Sequence, residues 1–330
     1  MSSRPRRLLV LGATGHIGQA VVRSALARAD CVTAATRQTD PVALRGLAIA
    51  TTHVDAECTN VTELAAGQDL IVDAAAPHPL DLSVRGSSAW RGVVDAAVTR
   101  TERVIAAARR HSLPLVFVSS FTTLPRHQSP VRSMEAAWRR SLYPYFEAKT
   151  AMERAVLDAA RRGLHAVVVN PAACLGPWEF RPEGSSFIRM VLARRLPVVM
   201  DHTINVIDVR DVALAIELAL SHQCTGRPIP LAGHDVSVPE LAARIAALDG
   251  SAGRAPIGVN DRFASGIALW TNATFAAFGL QAPDLSRAVP LIADGFAMRP
   301  SPEQLAIGLV PRPLDDTLRD AIAFHRECAR

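Results

Sequence analysis

The stretch Arg7-Leu-Leu-Val-Leu-Gly12-Ala-Thr-Gly15-His-Ile-Gly18 decides the first part of the fold. Its apolar run stops at a glycine, as a buried parallel strand does, and an apolar helix pattern follows from Gly18 to Ala29. Glycines at this spacing allow a tight turn, a close approach of backbone to phosphate, and close packing of helix on strand. The N–H groups at the helix N-terminus also attract phosphate. The stretch therefore predicts a dinucleotide site, and an ordinary strand-to-helix turn is the alternative.

Strands and helices continue to alternate along the chain. The predicted strands are 31–36, 48–54, 70–75, 115–119 and 166–170, and the predicted helices are 90–111 and 145–162. This alternation predicts an α/β fold with a Rossmann-type, doubly wound parallel sheet. After Pro171 the pattern loosens, with a strand at 204–209, a helix at 212–220 and a helix capped by Ser237. We expect a nucleotide-binding domain at 1–171 and a smaller mixed substrate-binding region at 172–330. The boundary is soft, because later segments can return to the sheet.

The composition limits the classes of protein. The 330 residues are 49% hydrophobic and 20% charged with a formal net charge of +5, which excludes a disordered or collagen-like chain. The sequence has no basic patch with interleaved aromatic residues, the pattern that is typical of nucleic-acid-binding proteins. No apolar run approaches the ~20 residues of a membrane span. The five cysteines are widely spaced, so we expect neither a disulfide framework nor a metal site. The N-terminal apolar run is too short for a signal peptide, so the expected location is the cytoplasm.

The second predicted strand ends in Thr36 and Arg37. A fold that selects NAD usually places Asp or Glu here to bind the ribose 2′-hydroxyl. An arginine can instead pair with a 2′-phosphate through its planar guanidinium. Arg37 therefore favours NADP(H) over NAD(H), and a solvated surface side chain is the alternative. The candidate cofactor residues up to this point are Gly12, Thr14, Gly15, His16, Ile17, Gly18 and Arg37.

Two further segments carry groups suited to acid–base chemistry. Tyr145 and Lys149 stand four residues apart, on one face of the predicted helix. A lysine ammonium favours the phenolate and lowers the tyrosine pKa from its ordinary value near ~10, which makes the phenol a usable proton donor. Ser120 follows a strand at its carboxyl end, where ligands bind in open α/β sheets. Each pattern alone also occurs by chance.

Together these features resemble the short-chain dehydrogenase/reductase superfamily. The chain length resembles its extended branch, the NAD-dependent epimerase/dehydratase family, and the end of the second strand resembles the dihydroflavonol-reductase-like members. Other matching segments are Asp69-Leu-Ile-Val-Asp-Ala-Ala-Ala76, Val206-Ile-Asp-Val-Arg-Asp-Val-Ala and Pro311-Arg-Pro-Leu-Asp-Asp-Thr-Leu-Arg. Two positions depart from the pattern: Asp73 stands where the family has His, and Ala97-Val-Thr-Arg100-Thr101 replaces N-V-x-G-T. We expect these changes to affect the packing beside the cofactor and not the Ser–Tyr–Lys set.

The resemblance implies roles for individual residues. Tyr145 would donate a proton to a substrate carbonyl, Lys149 would hold the nicotinamide ribose, and Ser120 would hydrogen-bond the carbonyl oxygen. Further cofactor contacts are implied at Asp55, Ala56, Ala74, Ala75, Ala76, Lys149 and Pro171. The leading hypothesis is thus an NADPH-dependent reductase of a small or medium-sized ketone or aldehyde, working reversibly as an alcohol dehydrogenase.

Two alternatives remain open. A nucleotide-sugar epimerase or dehydratase would hold NAD, and Arg181 and Arg189 would bind its diphosphate. A non-catalytic NADP-sensing protein is less favoured, because such proteins usually lose the tyrosine or the lysine. The candidate substrate contacts are His78, Thr122 and Trp178, in variable segments whose aromatic residues indicate an apolar substrate or simply pack the loops. The expected partners are a small-molecule substrate and a second copy of the chain in a homodimer, with no nucleic acid and no membrane.

Overall fold

The computed structural model describes residues 4–75, 87–124, 144–180, 186–250, 256–259 and 296–328. Their strands are β1 (Arg7–Leu11), β2 (Cys31–Thr36), β3 (Ala50–His53), β4 (Leu70–Asp73), β5 (Leu115–Val118), β6 (Ala166–Pro171), β7 (Ala173–Leu175), β8 (Val198–Met200), β9 (Thr203–Asp208), β10 (Pro228–Leu231), β11 (His234–Ser237) and β12 (Ile257–Val259). Their helices are α1 (His16–Ala27), α2 (Val61–Ala65), α3 (Ser87–Arg110), α4 (Pro144–Arg161), α5 (Phe187–Leu192), α6 (Val209–Ser221), α7 (Val238–Leu248), α8 (Pro302–Ala306) and α9 (Leu314–Cys328). Single 3-10 turns lie at Val42–Leu44 and Phe121–Thr123.

The central sheet confirms the predicted α/β, doubly wound architecture. Within the described ranges its strand order is β10-β6-β5-β4-β1-β2-β3, and all neighbours run parallel. Strand β10 comes from the C-terminal half and pairs with β6, with Leu231 opposite Pro171. The central sheet therefore includes a strand from beyond residue 171. The division of the chain there stays a prediction about the functions of the two regions. The carboxyl ends of parallel strands meet at one edge, which is where ligands bind.

Strand β1 shows how the sequence buries both faces of the sheet. Leu8 and Val10 pack into a core with α1 and α6, whereas Leu9 and Leu11 pack into another core with α3 and α4. All four side chains are fully buried. Successive side chains of a strand point to opposite faces, so an unbroken apolar run is the pattern of a strand covered on both sides.

The C-terminal region has a separate core. Strand β9 pairs parallel with β7 and antiparallel with β11, which gives the smaller mixed part that the sequence predicts. Leu241 and Ile245 of α7 and Leu318 of α9 are buried there. Throughout the part of the chain that the structure describes, no helix is both long and apolar enough to cross a membrane.

Side-chain caps fix two helix starts in this region. Helix α7 begins after Ser237, whose hydroxyl accepts a hydrogen bond from the backbone N–H of Glu240 at 3.2 Å, so the predicted cap is confirmed. Helix α6 begins at Val209, three residues before the predicted start. Asp208 causes this early start, because its carboxylate accepts from the N–H of Arg210 at 2.7 Å and satisfies the first turn.

Candidate active site

The turn between β1 and α1 leaves no room for side chains. Gly12 has φ of +75°, and a Cβ there would lie 2.8 Å from the Cα of Ala75. Helix α1 begins at His16, two residues before the predicted start, so Gly18 lies in its first turn. A Cβ on Gly18 would lie 2.1 Å from the carbonyl oxygen of Gly12. Only glycine fits these two positions.

The first turn of α1 is suited to an anion. Its N-cap is Gly15, which has no side chain to cap the N–H groups, and no acidic residue lies in the first turn. Thr14 and Ile17 beside it are half-buried. Uncapped N–H groups at the positive end of a helix dipole bind phosphate. The cradle that this turn forms with Gly12 and Gly18 therefore fits the pyrophosphate of a dinucleotide.

The side chain of His16 contacts protein rather than the cradle. His16 is 4% exposed, and its Nε2 lies 3.0 Å from the carbonyl oxygen of Pro177. This contact ties the glycine turn to the segment after β7. In that segment the ring of Trp178, a predicted substrate contact, lies 5.1 Å from the guanidinium of Arg23 on α1. A cofactor contact at His16 would therefore come from its backbone.

Arg37 lies exposed at the carboxyl end of β2. Thr36 before it is buried, and its hydroxyl accepts a hydrogen bond from the N–H of Gln38 at 3.1 Å, which fixes the backbone there. Since Leu11 pairs with Ala35, Arg37 lies only two residues beyond the end of the β1–β2 pairing. Arg37 therefore directly follows the strand that pairs with β1 next to the glycine turn.

Asp55 holds its own loop in shape. Its carboxylate accepts from the N–H of Glu57 at 2.8 Å and from both the N–H and the hydroxyl of Thr59. The hydrogen bond from the Thr59 hydroxyl holds the pKa of Asp55 below its ordinary value. Ala56 beside it is exposed. The predicted cofactor contact at Asp55 would thus come from a carboxylate that already has three donors.

Strand β5 is followed by two serines with different partners. The Ser119 hydroxyl donates to the carboxylate of Glu153, whereas the Ser120 hydroxyl oxygen accepts from the N–H of Thr122 at 3.2 Å and from its hydroxyl at 2.9 Å. Both serines are buried, at 4% and 7% exposure. The Ser119 hydroxyl is therefore taken up by a buried carboxylate, whereas the Ser120 hydroxyl has no carboxylate partner among the described residues. Thr122, a predicted substrate contact, is bonded directly to it.

Lys149 lies in the interior between α4 and β5. The residue is 3% exposed, its Nζ donates to the carbonyl oxygen of Val118 at 2.7 Å, and Nζ lies 5.0 Å from the ring centroid of Phe117. Burial lowers the pKa of Lys149 to about 8. Tyr145 stands one turn earlier on α4 and is half-buried. The predicted pair therefore combines a partly accessible phenol with a buried ammonium.

Lys149 is also the only lysine of the chain, since the other 35 of the 36 basic residues are arginines. A guanidinium stays protonated in proteins and presents a broad planar fork, whereas an ammonium is a compact charge whose pKa shifts on burial. A chain that uses arginine everywhere else indicates that this one position needs an ammonium. The signal was present in the sequence, and it is sharper than the Y-x-x-x-K spacing.

Glu153 on α4 is the centre of a buried polar cluster that the sequence patterns did not predict. Its carboxylate accepts from the hydroxyls of Ser119 and Thr123, the latter at 2.7 Å, and from the amide of Asn170 at 2.7 Å. Asn170 is fully buried, and its Nδ2 also lies 3.3 Å from the carbonyl oxygen of Ser120. The spacing of Lys149 and Glu153 by four residues was the only sequence signal for this cluster.

The two departures from the family pattern meet in the structure. The guanidinium of Arg100 on α3 binds both carboxylate oxygens of Asp73, each at 2.7 Å, with the residues 8% and 1% exposed. Asp73 also accepts from the N–H of Ala75 at 3.2 Å, which ends β4 two residues before its predicted end. An unpaired buried carboxylate is costly, so the aspartate depends on Arg100. The two changes are therefore one coupled change.

The remaining predicted residues are placed as follows. The N–H of Ala74 donates to the carbonyl oxygen of Leu11 at 3.0 Å, which keeps Ala74 beside the glycine turn. Pro171 ends β6 at the carboxyl edge of the sheet. Ala76, His78 and Arg181 lie outside the described residues. The structure thus gathers the glycine turn, Arg37, Ala74, Ala75, Ser120 and Pro171 at one edge, with Lys149 beneath it.

A sequence profile of the NAD dependent epimerase/dehydratase family matches residues 8–232. The chain belongs to this family. The resemblance drawn from the motifs is therefore confirmed, and with it the use of a nicotinamide cofactor and the extended short-chain dehydrogenase/reductase class of enzyme.

Relatives in and around the family carry different names. Sterol demethylase protein B of Methylococcus capsulatus is 28% identical over 330 residues, covering 97% of this chain and 98% of that protein. A "Putative dihydroflavonol 4-reductase" of Synechocystis is 26% identical over 258 residues, covering 73% and 72%. The UDP-glucose 4-epimerase of Thermotoga maritima superposes with a TM-score of 0.74 at 15% identity, covering 98% and 100%, which shows the shared fold alone.

Proposed function

We propose that this protein is an NADPH-dependent reductase of a small or medium-sized ketone or aldehyde, and that it oxidises the alcohol in reverse. The observation that carries the proposal is Lys149, the only lysine of the chain. It is buried one helical turn after Tyr145, and it donates a hydrogen bond to Val118, the last residue of β5, two positions before Ser120. Tyr145 and Lys149 lie one turn apart on one helix and suit proton transfer, and a cofactor-sensing protein usually lacks one of these two residues. This supports turnover over cofactor sensing.

Each residue of the set has a defined task. Tyr145 donates the proton to the carbonyl oxygen of the substrate, and the Lys149 ammonium favours the phenolate that remains. The Ser120 oxygen accepts two hydrogen bonds from Thr122, so its own proton is free to donate to the same carbonyl oxygen as negative charge develops there. Bound NADPH supplies the hydride.

Two observations support NADPH as the cofactor. Arg37 follows β2 on the strand next to the glycine turn, and neither Thr36 nor Arg37 is the acidic residue that selects the ribose 2′-hydroxyl. A guanidinium there would bind the 2′-phosphate of NADPH. NADH has no 2′-phosphate, so the guanidinium would contribute no comparable binding energy to it. The cofactor is then a freely exchanging co-substrate.

An apolar cyclic substrate is the best supported class. The ring of Phe121, the residue after Ser120 in the chain, stacks on Phe296 with centroids 3.7 Å apart. The sterol and dihydroflavonol names of the two relatives point to ring systems of this kind. A nucleotide-sugar epimerase with tightly held NAD is the second candidate, favoured by the fold likeness and by the basic side chain of Arg189 on α5.

The experiment is a turnover assay of NADPH with cyclic ketones, followed by loss of cofactor absorbance. Tyr145→Phe removes the proton donor and keeps the ring, so kcat is expected to fall by about 10²–10⁴ while NADPH affinity stays within a few-fold. Tyr143→Phe alters the only other tyrosine of the chain and serves as the matched control. Near-wild-type turnover in the Tyr145 variant would reject the assignment.

A further inference from the structure

The carboxylate of Glu153 joins the two halves of the candidate site. Two of its hydrogen-bond donors, Ser119 and Thr123, flank Ser120 closely in the chain, and the third, Asn170, also reaches the Ser120 carbonyl oxygen. Glu153 itself stands on α4, the helix of the tyrosine and the lysine. One buried side chain therefore holds the serine strand end against that helix.

The charges around Lys149 also single out Glu153. From the other elements packed there, Asp73 on β4 and Arg100 on α3 face the lysine, but these two neutralise each other through their bidentate pair. Within the described part of the chain, Lys149 has no carboxylate in direct ion-pair contact, and its Nζ donates to a backbone carbonyl. The carboxylate of Glu153, one helical turn away, is the charge left to balance it.

We propose that Glu153 is the counter-charge that keeps Lys149 protonated and the positioning residue that holds Ser120 against α4. Burial lowers the pKa of Lys149; attraction to Asp73 raises it, Arg100 lowers it again, and attraction to Glu153 raises it further. The hydroxyls of Ser119 and Thr123 and the amide of Asn170 converge on one oxygen of the Glu153 carboxylate. The catalytic consequence rests on the proposed function, whereas the charge pairing does not.

The single lysine allows a direct test. Protein labelled with [13Cε]lysine gives one side-chain resonance, whose pH titration reports the pKa of Lys149 alone. Glu153→Gln keeps the shape and removes the charge. Loss of the Glu153 charge is expected to lower the pKa of Lys149, so the titration moves to lower pH. Asp158→Asn, which removes an exposed charge from the same helix, is the control and should leave the titration unchanged. An unchanged titration in Glu153→Gln overturns the proposal.

A double-mutant cycle covers the case in which Glu153→Gln does not fold. The thermal midpoint is measured for the wild type, Glu153→Gln, Lys149→Met and the double variant. If Glu153 balances the charge of Lys149, Glu153→Gln lowers the thermal midpoint of the wild type by several degrees. In the Lys149→Met background, the same substitution lowers the midpoint by less than half as much. Folding of the double variant where Glu153→Gln alone fails also supports the pairing. Equal losses in both backgrounds, or failure of both to fold, contradict it.

The positioning role has its own readout in the reductase assay. Glu153→Gln is expected to lower kcat by about 10- to 100-fold, to leave the KM for NADPH within a few-fold, and to shift the alkaline limb of the pH–rate profile, to which Lys149 and Tyr145 both contribute. If the alkaline limb of the pH–rate profile stays in place while the Lys149 titration moves, Glu153 has no positioning role in catalysis. If no ketone is turned over by the wild type, the proposed function fails while the titration and the cycle still decide the charge pairing.

Discussion

Replacing Lys149 with methionine is expected to stabilise the protein while abolishing its activity. The side chain is buried, and its pKa falls from 10.5 to about 8. That fall corresponds to about 3 kcal/mol of penalty on the charged folded state at neutral pH, at ~1.4 kcal/mol for each pKa unit. The lost hydrogen bond to the Val118 carbonyl offsets about 1–1.5 kcal/mol of this gain. A net stabilisation of about 2 kcal/mol is expected, or roughly 3 °C in Tm for a chain of 330 residues.

The pH dependence makes this test specific. Below pH 8 the lysine is protonated in both states, so the wild type carries the full penalty. Between pH 8 and 10.5 the unfolded state holds more protons than the folded state, and the stability of the wild type rises. The advantage of Lys149→Met over the wild type should therefore shrink over that window, as thermal unfolding at pH 7 and pH 10 would show. Lys149→Arg keeps a permanent charge and should gain nothing. If Lys149→Met is less stable than the wild type at pH 7, or if the stability difference between them is the same at pH 7 and pH 10, burial of the lysine charge does not cost stability.

Three further predictions follow from the site. Arg37→Ala should weaken NADPH binding by about 1.5–3 kcal/mol and leave NADH nearly unchanged in fluorescence titrations, whereas equal losses for both would reject the 2′-phosphate contact. Gly18→Ala should destabilise the protein by about 1–3 kcal/mol and weaken cofactor binding, because its Cβ would meet a backbone oxygen at 2.1 Å; Gly92→Ala, which meets nothing within 4 Å, is the control in urea unfolding. Ser120→Ala should lower kcat by about 10²–10³. Ser119→Ala should lower the free energy of unfolding and change kcat much less. A large loss of kcat in Ser119→Ala together with a small one in Ser120→Ala would exchange the roles of the two serines.

The local features could be predicted from the sequence because neighbours along the chain decide them. The apolar run of β1, the glycine turn and the Ser237 cap each depend on residues a few positions apart, and the structure places them close to their predicted bounds. The start of α1 was wrong by two residues because Gly15, which lacks a capping side chain, is nonetheless its N-cap.

The polar contacts beneath the site could not be predicted, because they join residues far apart in the chain. Ser119 meets Glu153 across 34 positions, and Asp73 meets Arg100 across 27. Single-sequence patterns mark such residues only as unexplained polar groups in apolar elements. Two signals were nevertheless present: the solitary Lys149, and two departures from one family pattern with opposite charges.

The most direct test of an NADPH-dependent reductase is to identify any dinucleotide that the purified protein retains and to measure which one it binds more tightly. The denatured protein is assayed for released NAD and NADP, and the native protein is titrated with NADPH and NADH by nicotinamide fluorescence. An exchangeable reductase with Arg37 at the end of β2 predicts little retained cofactor and clearly tighter binding of NADPH. Stoichiometric NAD that will not exchange, or a preference for NADH, would contradict the account and favour an epimerase or dehydratase.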